Sequence, residues 1–277
     1  SIGLALVIIA GHMDLSVESV AALSAMMVGI LFCSAGIGFG LTLSPEWLMV
    51  PVSLLVAIVV GGLIGTLNGV LVVKLNMSAF IITLASYIWV RGLVLAISGG
   101  RSAQDLAPAI RWFGIQRVLG LPLTAWIAIS CFVVFSFILA KTPFGRHLVM
   151  IGGNQTATFR AGIRVNRNLI IAFVLAGAIA GLAGWLLAIR TSGATANLGV
   201  GLLFNAFAAV VIGGVSLKGG VGSLPGVYAG VLLLSSINTA INLMGLPPTS
   251  TQVIHGLLVL AAVLLDTLKQ AIRQKLA

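Results

Sequence analysis

Read for charge, the chain falls into long stretches without Asp, Glu, Lys or Arg, separated by short segments where those residues collect. The uncharged stretches are 1–11, 19–39, 47–73, 118–140, 168–189, 191–217, 219–245 and 251–265, and 79–98 joins them with Arg91 as its one charge. Most reach the roughly 20 residues that an α-helix needs to cross the hydrocarbon of a bilayer. The pattern predicts an all-α, polytopic integral membrane protein with about nine crossings, folded as a single transmembrane domain over 1–277.

Composition sharpens this picture. Apolar residues make up 60% of the 277 and charged residues 7%, with a mean hydropathy of +1.20. Soluble domains carry about 25% charged residues, so the solvent expected for this surface is membrane lipid. A net charge of +10 would raise nucleic acid as a partner of a soluble protein. Here the basic residues are too thinly spread, so no nucleic acid is expected and the charges are read as setting topology. Lys141, Arg146, Arg160, Arg164 and Arg167 crowd the segment 141–167 without an acid, and Lys269, Arg273 and Lys275 lie in the tail 266–277. Both segments are expected in the cytoplasm, together with Lys74. Glu46 and the Pro247-Pro248 turn then fall outside, as does 99–120 despite its Arg101, Arg111 and Arg117. Cys33 and Cys131 stand alone in apolar runs, without metal or redox spacing. Five acids and three scattered histidines leave no catalytic constellation and no metal site, so no enzymatic activity is expected in this chain. Its start inside an apolar run, with no basic segment before it, is read as a natural start cut away rather than a signal peptide.

Two apolar runs are interrupted in a similar way. Ile8-Ile9-Ala10-Gly11-His12-Met13-Asp14-Leu15-Ser16 and Val210-Val211-Ile212-Gly213-Gly214-Val215-Ser216-Leu217-Lys218 each run apolar pair, glycine, polar position, leucine. Non-helical backbone at membrane depth survives where it is buried in protein or lines a water-filled cavity, and broken helices border binding sites in transporters. An ordinary turn at the membrane surface is the alternative. In 168–189, Gly177 with Gly181 and Ala180 with Gly184 lie four apart and predict a smooth face for close helix packing. The polar positions inside the apolar runs are Asn68, Arg91, Asn205, Asn238 and His255. Arg91 lies about 18 Å along its helix from Ala79, so it is expected to snorkel to the outer surface. His255 is read as satisfying a neighbouring carbonyl. Asn68, Arg91, Asn205 and Asn238, with Asp14 and Ser216 at the breaks, are the candidates for a translocation path. The asparagines equally suit hydrogen bonds between helices.

The segment 144–163 carries a different signal. Asn154 suits the N-cap of a short helix, and Gly162 suits the left-handed position after its end. Between them, about two helical turns present Ala157 and Ala161 on one small-residue face, with Arg160 and Arg164 beside it. Such a helix fits a groove on another protein; a basic loop that only fixes topology is the plainer alternative. The residues Gly153-Asn154, Ala157 and Ala161-Gly162-Ile163 resemble the coupling segment of bacterial ATP-binding-cassette permeases of the ribose, arabinose, xylose and galactose type. Asp14-Leu15-Ser16-Val17, Leu67-Asn68-Gly69, Phe80-Ile81-Ile82-Thr83-Leu84, Arg91-Gly92-Leu93 and the run from Val211 to Gly222 are similar to that family in order and spacing. The likeness covers essentially the whole chain. His12 and Glu18 stand where the family usually has glycine, and Thr156 where it often has Glu.

The resemblance implies a permease subunit that moves a monosaccharide across the bacterial inner membrane by alternating access. A separate ATPase subunit would bind ATP and Mg, dock on the coupling residues Gly153, Asn154, Ala157, Arg160, Ala161 and Gly162, and supply the driving force. The chain itself would hold no cofactor. A second permease chain, alike or paralogous, and a periplasmic sugar-binding protein would complete the importer, with about ten crossings in the full-length subunit and a cytoplasmic C-terminus. Permeases for branched-chain amino acids or nucleosides share this architecture, and a channel or secondary carrier that needs no ATPase is the reading from another class.

Overall fold

The structure, a computed structural model, describes residues 1–245 together with 253, 254, 256, 257, 260 and 264. The Pro247-Pro248 turn, His255, the tail 266–277 and most of the stretch 251–265 lie outside the described residues. Apolar helices dominate, as the charge pattern predicts. Five of those described are long and apolar enough to cross a membrane: Glu46–Lys74, Ala79–Ser98, Leu123–Lys141, Val165–Thr191 and Leu224–Ile241.

By this measure the described helices do not reach nine crossings, and within the described residues the shortfall has a local cause. The stretch 1–11 forms α1 (Ile2–Ile9), only eight residues long and buried throughout. The stretch 19–39 gives α2 (Val17–Phe32, 16 residues), and its remainder leaves the helix as an extended strand. In 191–217 only Leu202–Ile212 is a separate helix, of 11 residues. Glycine, serine and threonine between these pieces release the backbone to turns and strand pairing. The described residues therefore also include small sheets, which the all-α reading did not anticipate. β1 (Cys33–Gly36), β2 (Ala103–Leu106) and β5 (Gly193–Ala194) form one antiparallel sheet in the order β1-β2-β5. β3 (Arg117–Val118) pairs with β4 (Leu121–Pro122).

The chain divides into two compact units. One comprises Met13–Val133 and Asn166–Val200. It holds α2, α3 (Met49–Lys74), α4 (Ala79–Ser98), the amphipathic α5 (Pro108–Ile115), both sheets, and nearly all of α9 (Val165–Thr191). Its helices meet along glycine. A Cβ added at Gly61 would strike the carbonyl of Gly177, one at Gly65 that of Phe173, and one at Gly181 that of Ala57. The Gly177 and Gly181 part of the smooth face read from 168–189 is thus where α9 touches α3, whereas Gly184 packs on the backbone of Ala21 in α2. Beyond the seam, Trp185 is fully buried, donates to Ser53 Oγ at 2.9 Å and packs tilted against Phe113 of α5, ring centroids 5.7 Å apart.

The other unit comprises Ser1–His12, Val134–Val165 and the described residues from Gly201 onward. It contains α1, α7 (Pro143–Gly153), α8 (Gln155–Arg160), α10 (Leu202–Ile212) and α11 (Leu224–Leu243). α10 and α11 also approach through glycine, since Cβ atoms on Gly226 and Gly230 would collide with the carbonyls of Gly213 and Ala209.

Candidate functional site

Three features carry the candidate chemistry: a helical hairpin, two broken helices and a buried polar network. The segment 141–167, read as a loop around one short helix, is mostly helical. Thr142 caps α7, its hydroxyl accepting from the Gly145 amide, and Gly145 sits so close to the Leu139 backbone that no side chain fits. α7 buries Gly145, Leu148 and Ile151 on one side, a helical spacing. Asn154 then caps α8, its Oδ1 accepting from the Ala157 amide at 2.9 Å. Thr158, the buried residue of α8, donates its hydroxyl to the carbonyls of Met150 at 2.8 Å and Asn154 at 2.7 Å, pinning α8 to α7. The remaining residues of the turn, Gly153, Asn154, Ala157, Arg160, Ala161 and Gly162, all face outward. Sequence reasoning missed Phe159, which is 71% exposed on the same helix; an apolar residue beside a candidate docking face was the available signal.

The helix ends at the two breaks share one geometry. After α1, Gly11 (φ +80°) donates to Ile8 at 2.8 Å and His12 to Val7 at 3.0 Å. After α10, Gly214 (φ +83°) donates to Val211 at 2.9 Å and Val215 to Val210 at 3.2 Å. This is the Schellman closure, in which a left-handed residue lets two successive amides satisfy the last carbonyls. Gly162, at φ +80°, ends α8 in the same way, with Gly162 to Phe159 at 3.0 Å and Ile163 to Thr158 at 3.4 Å. Both interrupted runs are therefore helix terminations.

The polar candidates separate into two groups. Asp14 and Asn68 meet in one network with Ser16 and Ser86. Ser16 donates to Asp14 Oδ1 from its amide at 2.9 Å and its hydroxyl at 2.6 Å, and Asn68 Nδ2 donates to Ser16 Oγ at 2.9 Å. Ser86 Oγ donates to Asn68 Oδ1 at 2.5 Å. All four residues are buried, and the network ties the start of α2 to α3 and α4. Arg91 does not snorkel outward: its Nη2 meets Glu18 Oε1 at 2.9 Å, and Nη1 donates to the Ala196 carbonyl at 2.9 Å. Glu18 is the acid that sequence inspection registered only as a departure from glycine, and here it is the charge that lets Arg91 stay inside. Asn205, Ser216 and Asn238 stand half-buried in the other unit, on α10, in the turn after it and on α11. Ser216 Oγ accepts from the Lys218 amide at 3.3 Å, closing the turn.

Five helices long and apolar enough to cross a membrane, with two terminations inside apolar runs, define a multi-pass membrane protein. Residues 1–263 match the family described as branched-chain amino acid transport system / permease component, and the chain belongs to it. It is 39% identical over 203 residues to the L-arabinose transport system permease protein of Escherichia coli, a match covering 73% of this chain and 62% of that protein. It is 34% identical over 274 residues to the ribose import permease protein of Escherichia coli, covering 98% of this chain and 82% of that protein. The ribose import permease protein of Bacillus subtilis is 35% identical over 275 residues, covering 97% and 80%. The chain thus spans less than two thirds of the arabinose relative and about four fifths of the ribose relatives. No solved structure matches it.

Proposed function

We propose that this chain is the permease subunit of a monosaccharide importer driven by a separate ATP-binding-cassette ATPase. The observation that carries the reading is the α7–α8 hairpin, a rigidly capped tip with an exposed face, in a chain similar along nearly its whole length to ribose and arabinose permeases. In this reading α8 seats in a groove of the ATPase, which holds ATP and Mg, while the permease holds neither. A second permease chain completes the path, and a periplasmic binding protein presents the sugar. The protein lies in the bacterial inner membrane with the hairpin and C-terminus in the cytoplasm. The short apolar helices α1, α2 and α10, extended by adjoining chain, together with the stretch 251–265, bring the crossings from five to about nine. Asp14, Asn68 and Arg91 shape the path wall from within the fold, and Asn205, Ser216 and Asn238 offer it weak hydrogen bonds.

Co-purification tests this. Tagged full-length protein, isolated gently from its native membrane, is expected to bring down an ATP-binding-cassette ATPase in near-equal amount. The reconstituted assembly should take up a labelled pentose only with ATP. Uptake that persists without ATP, and without an ATPase partner, would replace this reading by a channel or secondary carrier. The family's printed description favours a second substrate class, branched-chain amino acids. Leucine uptake with no pentose uptake would establish it.

A further inference from the structure

α1 ends inside its unit, where every carbonyl of the last turn must find a donor from protein. Three do so locally: Leu6 accepts from Ala10 at 3.2 Å, Val7 from His12 and Ile8 from Gly11. The fourth, Ile9, accepts from the amide of Gly220, in the turn between α10 and α11, at 2.8 Å. Gly152, at the end of α7, lies against that same bond. A Cβ there would collide with both the Ile9 oxygen and the Gly220 nitrogen. A Cβ on Gly219 would stand 2.7 Å from Gly11 Cα and 2.9 Å from the Gly152 oxygen, and one on Gly220 would stand 2.9 Å from Gly153 Cα. Three segments distant in sequence therefore touch backbone on backbone, at positions where only glycine fits. Side chains between elements can yield by changing rotamer, whereas contacts of this kind pass on a displacement directly.

We propose that Gly152, Gly219, Gly220 and Gly11 form a rigid joint that carries the motion of the α7–α8 hairpin to both helix breaks, making them positioning residues for transport. The inference rests on the coupling role proposed above for α8. It assigns the breaks a reason for being where they are: Gly11 at the first, and Gly219 and Gly220 in the turn that follows the second, bring bare backbone against the end of the hairpin's inner helix.

Amide hydrogen exchange on the intact wild-type assembly tests the joint without risk of misfolding. Peptides covering 7–13 and 218–222 are expected to keep their protection equally with and without ATP, since a rigid joint moves as one piece. Peptides covering 155–160 should gain protection when the ATPase is added. Loss of protection at 218–222 in one nucleotide state, with α8 still responding, would overturn the joint. If α8 shows no response to the ATPase, it is the coupling reading that falls. In parallel, Gly152→Ala is expected to lower ATP-driven uptake about tenfold, while the assembled complex keeps most of its ATPase activity. Gly62→Ala, where nothing lies within 4 Å of the added atom, should transport normally. Full uptake by Gly152→Ala would also overturn the proposal.

Discussion

Glu18 and Arg91 show what one residue can decide inside an apolar bundle. Their side chains are 2% and 15% exposed, and they meet at 2.9 Å. A charge at such depth is tolerated when it is paired and its remaining donors are used, as Arg91 does with the carbonyls of Ala196 and Leu198. Removing one partner leaves the other charge buried without compensation. Glu18→Ala and Arg91→Ala are each expected to lose about 3–5 kcal/mol of stability. The double change to glutamines should lose less than the two single changes together, because neither charge is then stranded. Denaturation of the purified protein in detergent measures all three, and single variants as stable as the parent would show that the pair is not held. The same logic covers Asp14 and Asn68. Sequence inspection marks them as polar and therefore functional candidates, but both are buried and hydrogen-bonded to neighbours within the fold. Whatever they contribute to a path, they also fix α2 against α3 and α4.

At the scale of elements, glycine governs contact. The α3–α9 seam places backbone against backbone at Gly61, Gly65, Gly177 and Gly181. Gly61→Leu should separate the two helices and reduce folded, monodisperse protein several-fold, since any Cβ there meets the Gly177 carbonyl. Gly62→Leu, one residue along and open to surroundings, should fold normally. Size-exclusion profiles of fluorescent fusions separate the outcomes, and equal yields would mean that the seam is not needed. This seam was legible in the sequence because small residues four apart on one helix have few other uses. The caps were legible for a similar reason: Asn154 and Gly162 are residues whose local chemistry fixes their place. What stayed hidden depends on partners far away along the chain. β2 pairs Ala103 with Ala194, and nothing local to either residue announces it. Gly152 looks like any helical glycine until Ile9 and Gly220 arrive beside it. The length of α1 was hidden too, because an uncharged stretch gives no sign of where its helix stops until a Schellman glycine is recognised.

For the whole molecule, the proposed function asks how energy released in a separate ATPase would reach this chain. The force must enter through a surface, and α8 offers an apolar one: Phe159 is 71% exposed beside the small face of Ala157 and Ala161. An aromatic side chain held on a capped helix loses little freedom on docking, and such residues dominate protein interfaces. Phe159 is therefore expected to anchor α8 in the ATPase. Because its ring is largely exposed, Phe159→Ala should leave the fold intact yet weaken ATPase binding by about 2 kcal/mol, roughly thirtyfold. Ala157→Trp tests the complementary point, since a bulky ring on the small face should prevent seating while Thr158 still pins α8 from below. In both variants ATP-driven uptake should fall with binding, whereas the melting temperature of the isolated permease should not move. Titration of the purified ATPase against the reconstituted permease gives the affinity, and vesicle uptake gives the transport. Undiminished affinity in Phe159→Ala would place the docking contact elsewhere on the hairpin, and undiminished uptake in Ala157→Trp would remove α8 from coupling altogether.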